Sequence, residues 1–103
     1  MPKYRHIVLF KLIPTLSEAE KVQHFQTFKA AIEDLPKDIP FIQEIEVGFN
    51  TNASEQWDIC LNALFNNLEE IHQYSLHPLH LQAAIGLKPY VVERSCVDYE
   101  TLA

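Results

Sequence analysis

Glycine, cysteine and basic residues are scarce in this 103-residue chain, and each scarcity excludes a class of protein. Gly48 and Gly86 are its only glycines, so it cannot form the glycine-rich loops that hold nucleotide phosphates. Eight Lys and Arg stand against fourteen Asp and Glu, which gives a net charge of −6. We therefore expect no nucleic-acid partner, because such proteins present a positive surface to the phosphate backbone.

Long apolar runs are also missing. No run approaches the roughly 20 apolar residues that span a bilayer. Near the start, the short apolar segment 7–10 is interrupted by Lys11. These features predict a cytoplasmic protein without a membrane partner. Cys60 and Cys96 belong to no Cys-x-x-Cys motif, and in a reducing compartment they are expected to be free thiols.

Alternating and helical patterns of apolar residues predict four strands and three helical segments. Ser17 and Glu20 form a capping box that begins the first helix, and Pro36 ends it. The His77-Pro78 step separates the other two helical segments, since proline suits a first helical position. The predicted elements are strands 4–13, 41–50, 57–65 and 91–99, a helix between Ser17 and Pro36, and helical segments 68–76 and 77–85, the last capped by Gly86.

The order β-α-β-β-α-β predicts an α+β, ferredoxin-like fold in a single domain over residues 1–103. Its antiparallel four-stranded sheet would carry the helices on one face. The first strand is apolar on both faces, with Val8 and Phe10 on one side and Ile7 and Leu9 on the other. Because one layer of helices covers only one face, the second face predicts a homodimer in which two sheets pack together.

The segment 71–80 concentrates side chains that exchange protons. His80 falls in the first turn of a helical segment, where the helix dipole disfavours imidazolium and keeps a neutral base available. We interpret Tyr74 and His80 as an acid–base pair, supported by His6 from the first strand. The alternatives are that these are buried polar residues satisfied by the backbone, or that His72, His77 and His80 hold a zinc ion.

Five motifs make the chain resemble the Dabb family of stress-responsive dimeric α/β-barrel domains. The His-Pro-x-His element is the most specific of them, and the order and spacing of all five support the resemblance. They are His6-Ile7-Val8-Leu9-Phe10-Lys11, Glu46-Val47-Gly48-Phe49-Asn50, Trp57-Asp58, Tyr74-x-x-His77-Pro78-x-His80 and Val97-Asp98-Tyr99-Glu100.

The resemblance implies a ferredoxin-like protomer that pairs sheet to sheet with a second copy, and it implies neither a metal nor a cofactor. In one plant branch of the family, which closes polyketide rings, a Tyr and the last His of the specific element do the acid–base work. Those positions are Tyr74 and His80 here, and a pocket-lining His of the first strand falls on His6. The bulky residues expected to line the same interior are Phe10, Phe28 and Trp57.

Two functions remain open at this point. The first is a cofactor-free enzyme with lyase, cyclase or monooxygenase-like chemistry on a small, apolar, oxygenated molecule. The second is a non-catalytic dimeric protein that acts in stress or binds a small ligand, and haem or metal handling is a third alternative. An open cavity that touches His80 favours the enzyme, whereas an interior filled by aromatic side chains favours the second function.

Overall fold

The computed structural model describes residues 2–102 as one twisted sheet with helices packed on one side. The antiparallel strands lie in the order β2-β3-β1-β4, so the predicted ferredoxin-like arrangement is confirmed. None of the helices in this part of the chain is long and apolar enough to cross a membrane. The elements are β1 (Lys3–Leu12), α1 (Glu18–Glu33), β2 (Glu44–Phe49), β3 (Ile59–Phe65), α2 (Leu68–Leu76), α3 (Pro78–Ile85) and β4 (Val91–Thr101), with short 3-10 turns at Leu35–Lys37 and Lys88–Tyr90.

Helix α1 is fixed at both ends by side chains. The predicted capping box is present, with the Ser17 hydroxyl accepting from the Glu20 amide and the Glu20 carboxylate accepting from the Ser17 amide. Near its other end, Glu33 Oε2 accepts from the Val47 amide at 2.9 Å and from Lys29 Nζ at 2.6 Å. Since β2 is an edge strand, Glu33 satisfies an outward backbone donor of that strand and fastens α1 to the sheet.

His77 joins α2 to α3. It ends α2 and begins α3, and its Nδ1 accepts from the Leu79 amide at 3.1 Å. Pro78 occupies the first position of α3, as predicted, and Gly86 caps its C-terminus. The helical spacing of segment 68–76 predicts that Leu68 points inward, but its side chain is 54% exposed at the start of α2.

Two strands begin later than the sequence predicts, and one strand contains a register slip. Strand β2 begins at Glu44 and not at residue 41, and β3 begins at Ile59 and not at Trp57. The preceding Asp58 instead ties the loop to β1, since its carboxylate accepts from the Leu12 amide at 2.8 Å. In β4 the register slips by one residue opposite Lys11 and Leu12, and the slip turns Val91 towards the helices.

The two faces of the sheet have different surroundings. The helix-covered face holds the core, in which Val8, Leu12, Ile59 and Leu61 are at most 2% exposed. On the opposite face, which we call the open face, no helix of residues 2–102 packs. Its β4 side chains Val97 and Tyr99, which pair with Ile7 and Arg5 of β1, are 54% and 47% exposed.

The two cysteines lie on opposite faces of the sheet. Cys60 lies opposite Leu9 on the open face, whereas Cys96 lies opposite Val8 on the helix-covered face, and both are free thiols. His24 lies among polar residues of the first helix, which predicts a solvated side chain, but it stacks on the ring of Tyr90 with a centroid distance of 3.9 Å. This contact holds α1 against the turn that precedes β4.

Candidate active site

A cavity of about 370 Å³ lies between the sheet and α3. Strands β1, β3 and β4 form its floor, and α1, α3 and the turn after α3 form its other walls. Most of the wall is apolar, and two histidines and two cations supply its strongest polar groups. Its lining residues are His6, Val8, Phe10, Phe28, Leu61, Ser75, His80, Leu81, Ala84, Ile85, Leu87, Lys88, Val91 and Arg94.

His80 is held with one ring nitrogen fixed and the other available. Its Nδ1 lies 3.2 Å from the Ser75 carbonyl oxygen. Because a carbonyl can only accept, Nδ1 carries the proton and Nε2 carries the lone pair. Burial lowers the pKa of His80, the hydrogen bond to Ser75 opposes this effect less strongly, and the positive charge of Arg94 lowers the pKa further. His80 is therefore a neutral base at pH 7, chiefly because it is buried.

His6 is oriented in the same way by a carboxylate. It is 6% exposed, and its Nδ1 lies 2.6 Å from Asp98 Oδ1. The pairing of β1 with β4 places His6 directly opposite Asp98. Sequence reasoning used Asp98 only as part of a family motif and missed this contact. Antiparallel pairing of the first and last strands brings the two motifs together, but the contact itself depends on the strand register.

Tyr74 lies behind the two histidines and not on the cavity wall. Its side chain is fully buried, and its hydroxyl is the one buried side-chain oxygen or nitrogen within residues 2–102 that has no hydrogen-bond partner. The ring lies 4.4 Å from that of His80 and 5.9 Å from that of His6, measured between centroids. Burial raises the pKa of Tyr74 far above its usual range, so the phenol keeps its proton.

The other predicted lining residues separate into two places. Phe10 and Phe28 both line the cavity and meet edge to face, with ring centroids 5.5 Å apart. Trp57 does not join them, because it precedes β3 and lines a different depression of about 300 Å³. That depression also contacts Leu9 and Cys60, whose side chains lie on the open face.

The structure does not gather the histidines of the zinc alternative. His77 Nδ1 caps α3 and His80 Nδ1 bonds to Ser75, so both are already committed to the backbone. A different cluster appears in the described part of the chain, where donor atoms of His6, Cys96 and Asp98 lie within 4.8 Å of one another. Its His6–Asp98 distance of 2.6 Å is that of a hydrogen bond.

Comparison with known proteins identifies the family. The profile of the Dabb family, the stress responsive A/B barrel domain, matches residues 4–101. Because this match covers nearly all of the sequence, the chain belongs to the Dabb family.

Three proteins resemble the chain to different degrees. A dimeric protein of unknown function and ferredoxin-like fold from Bacteroides fragilis is 43% identical, with 96% of each chain covered and a TM-score of 0.92. Olivetolic acid cyclase from Cannabis sativa is 24% identical over 79 residues, 75% of each sequence. A hydroxynitrile lyase from Passiflora edulis has a TM-score of 0.76 at 16% identity, covering 96% of this chain and 93% of the lyase, and this likeness shows the fold alone.

Proposed function

We propose that this Dabb-family protein is a homodimeric, cofactor-independent acid–base enzyme of the lyase or cyclase type. Its substrate is a small, largely apolar molecule that carries a carbonyl group. The observation that carries the proposal is the open cavity on which His80 presents a neutral Nε2, with His6 on the same wall. A cavity lined by apolar side chains with a few convergent polar groups is the usual form of a small-molecule site.

The proposed reaction begins with proton transfer to His80. Its Nε2 takes a proton from the carbon next to a carbonyl, and the C–H electron pair forms the enolate. The enolate carbon then attacks a second carbonyl of the same molecule, a C–C bond forms, and His80 returns its proton to the new alkoxide. A lyase would run the corresponding bond cleavage through the same groups. A general base of this kind contributes roughly 10²–10⁴ in rate.

Tyr74 is the proposed donor to the developing oxyanion. Its phenol stays protonated and its hydroxyl has no protein partner, so it can hydrogen-bond to a substrate oxygen that displaces the covering side chains. His6, oriented by Asp98, would hold its Nε2 towards the same substrate. These assignments use the chain's own side chains alone.

The comparisons support this class of reaction. One of the similar proteins is a cyclase, which favours a cyclase-type reaction, whereas the similarity to the hydroxynitrile lyase supports the fold alone. The dimer is supported by the Bacteroides fragilis protein, which is dimeric and 43% identical. The partly apolar open face, on which Val97 and Tyr99 are exposed, is the surface proposed to meet the second copy.

The decisive experiment compares His80→Gln with His72→Gln. Each variant is incubated in D₂O with a panel of aryl ketones, β-diketones and cyanohydrins, and NMR follows proton exchange, condensation and cleavage. His80→Gln should lose about 10²–10⁴ in rate, because it removes the base. His72 is exposed on α2 and does not line the cavity, so His72→Gln should retain wild-type turnover. Wild-type turnover by His80→Gln would refute the acid–base proposal.

The second candidate is a non-catalytic small-ligand-binding protein. It is favoured by the position of the Tyr74 hydroxyl, which is hidden behind the cavity wall in the ligand-free chain. A binder needs the cavity but neither the base nor the phenol. Absence of turnover by the wild type across the panel, together with ligand binding that survives His80→Gln, would select this function over the enzyme.

A further inference from the structure

The cations of this acidic protein are divided into two groups by their partners. The chain has eight Lys and Arg. Six of them hold a carboxylate or an amide oxygen of another side chain: Lys3, Arg5, Lys11, Lys21, Lys29 and Lys37. Lys88 and Arg94 form no ion pair with any of residues 2–102. These two are also the cations that line the cavity.

Both cations approach the cavity from the side of β4. Arg94 pairs with Phe10 across β1 and β4, and Phe10 itself lines the cavity on the helix-covered face. Lys88 begins the turn that follows α3. The positive charge of Arg94 is close enough to His80 to disfavour its protonation. The two unpaired cations and the proposed base therefore face one space.

Charge and shape together indicate the ligand. A chain with a net charge of −6 repels anions at a distance, so an anion needs a local cation to bind. The guanidinium of arginine offers a planar fork of donors that matches a carboxylate with two parallel hydrogen bonds. The rest of the wall is mainly apolar, including Phe28, Leu61 and Leu81, and suits the hydrocarbon part of the same molecule.

We propose that the cavity binds a carboxylate-bearing, otherwise apolar molecule, with Arg94 holding the carboxylate and Lys88 adding a second positive charge. This inference rests on the proposed function for the location of the site, and it names the substrate class of that site. The carboxylate at Arg94 would place the apolar body along the wall between β1 and α3, with a reacting carbon near His80.

Calorimetric titration with matched pairs of ligands tests the proposal on the full chain. The probes are hexanoate, octanoate and 2-naphthoate, each paired with its own amide, which has nearly the same shape without the charge. The wild type should bind at least one carboxylate about tenfold or more tightly than its amide. Arg94→Gln should remove that preference without weakening the amide, and Lys88→Gln should reduce it less.

Lys37→Gln is the control, because it removes the same net charge from an exposed pair with Asp34 outside the cavity. It should leave the carboxylate preference intact. The proposal is overturned if no carboxylate of the panel binds more tightly than its amide, or if Arg94→Gln and Lys37→Gln behave alike. Binding needs no proton transfer, so His80→Gln should keep the carboxylate preference. Its effect on catalysis then tests the proposed acid–base function alone and leaves the ligand class untouched.

Discussion

Helices α1 and α3 lie on the same face of one sheet but pack against it differently. In α1, Phe28 and Ile32 are 4% and 0% exposed, and they fill the space above the sheet. In α3 no side chain is fully buried, and Leu81 and Ile85 are 54% and 66% exposed. The half of the molecule under α1 is thus a closed core, whereas the half under α3 retains the cavity that holds His80.

The difference follows from how each helix is anchored. Helix α1 has 16 residues, a capping box, and the Glu33 contact to β2, and its second half packs onto the sheet through Phe28 and Ile32. Helix α3 has 8 residues, and Pro78 begins it immediately after α2 ends. A short helix that begins at a proline junction buries less of its surface. Helix α1 therefore contributes more to stability, whereas α3 leaves the cavity accessible to a ligand.

The largest expected effect on stability comes from truncating a buried side chain of α1. Ile32→Ala should lower the free energy of unfolding by about 2–5 kcal/mol, because it removes buried methyl groups and leaves a void. Leu81→Ala truncates a half-exposed side chain on the cavity wall, so it should lower the free energy of unfolding by less than about 1 kcal/mol. Chemical denaturation at one fixed protein concentration measures both, since the stability of the proposed dimer would depend on concentration. Equal losses in the two variants would show that the α3 half is packed as tightly as the α1 half.

A smaller effect, this time an increase in stability, is expected from a substitution of Tyr74 in α2. Tyr74→Phe removes a buried hydroxyl that has no partner and keeps the ring against His80 and Phe65. An unsatisfied buried polar group costs roughly 1–3 kcal/mol, so the variant should be more stable than the wild type in the same denaturation experiment.

The same variant separates a structural from a functional role of Tyr74. If the hydroxyl serves the substrate, Tyr74→Phe should lose turnover while its unfolding free energy rises. Tyr90→Phe is the control, because Tyr90 is a second tyrosine packed against the core that lies outside the cavity lining. A loss of stability in Tyr74→Phe would mean that its hydroxyl has a partner, such as a bound water.

The sequence was sufficient for the fold because each element carries its own signal. Ser17 and Glu20 begin α1, Pro78 begins α3, and the strand order follows from the sequence of elements. Strand ends were less predictable, because Trp57 is as apolar as a strand residue, yet the backbone beside it is a loop held by Asp58. The slip in β4 that turns Val91 inward has no local sequence mark.

The candidate site was predictable only in part. His80 was found in a cluster of proton-exchanging side chains and His6 as a lone polar group on an apolar strand face, and both line one cavity. The contact of His6 with Asp98 and the approach of Arg94 depend on the pairing of β1 with β4 across about ninety intervening residues. Such partners become visible only when the register is known. Trp57 was assigned to the wrong face for the same reason, because one displaced strand end moves it away from the cavity.

The smallest expected effect is a pH dependence of stability that comes from His80, in the half of the molecule under α3. Burial lowers the pKa of His80 below the ordinary histidine value, which is about 6.5. As the pH falls below that value, the unfolded chain binds a proton that the folded chain refuses, so stability decreases until the lowered pKa is reached. His80→Gln removes this contribution, and its unfolding free energy should fall less steeply than that of the wild type between about pH 6.5 and pH 5.

His72→Gln provides the control for this measurement, because it removes an exposed histidine of the neighbouring helix α2. Its pH profile should follow that of the wild type, whereas the profile of His80→Gln should be flatter. Arg94→Gln refines the comparison, since the positive charge of Arg94 is one of the causes that lower the pKa of His80. Removing that charge should bring the pKa of His80 closer to its ordinary value, so the profile of Arg94→Gln should lie between those of the wild type and His80→Gln. Parallel profiles for the wild type and all three variants would show that water enters the cavity under α3 and lets His80 titrate as it does in water. The halves under α1 and α3 would then differ in packing alone.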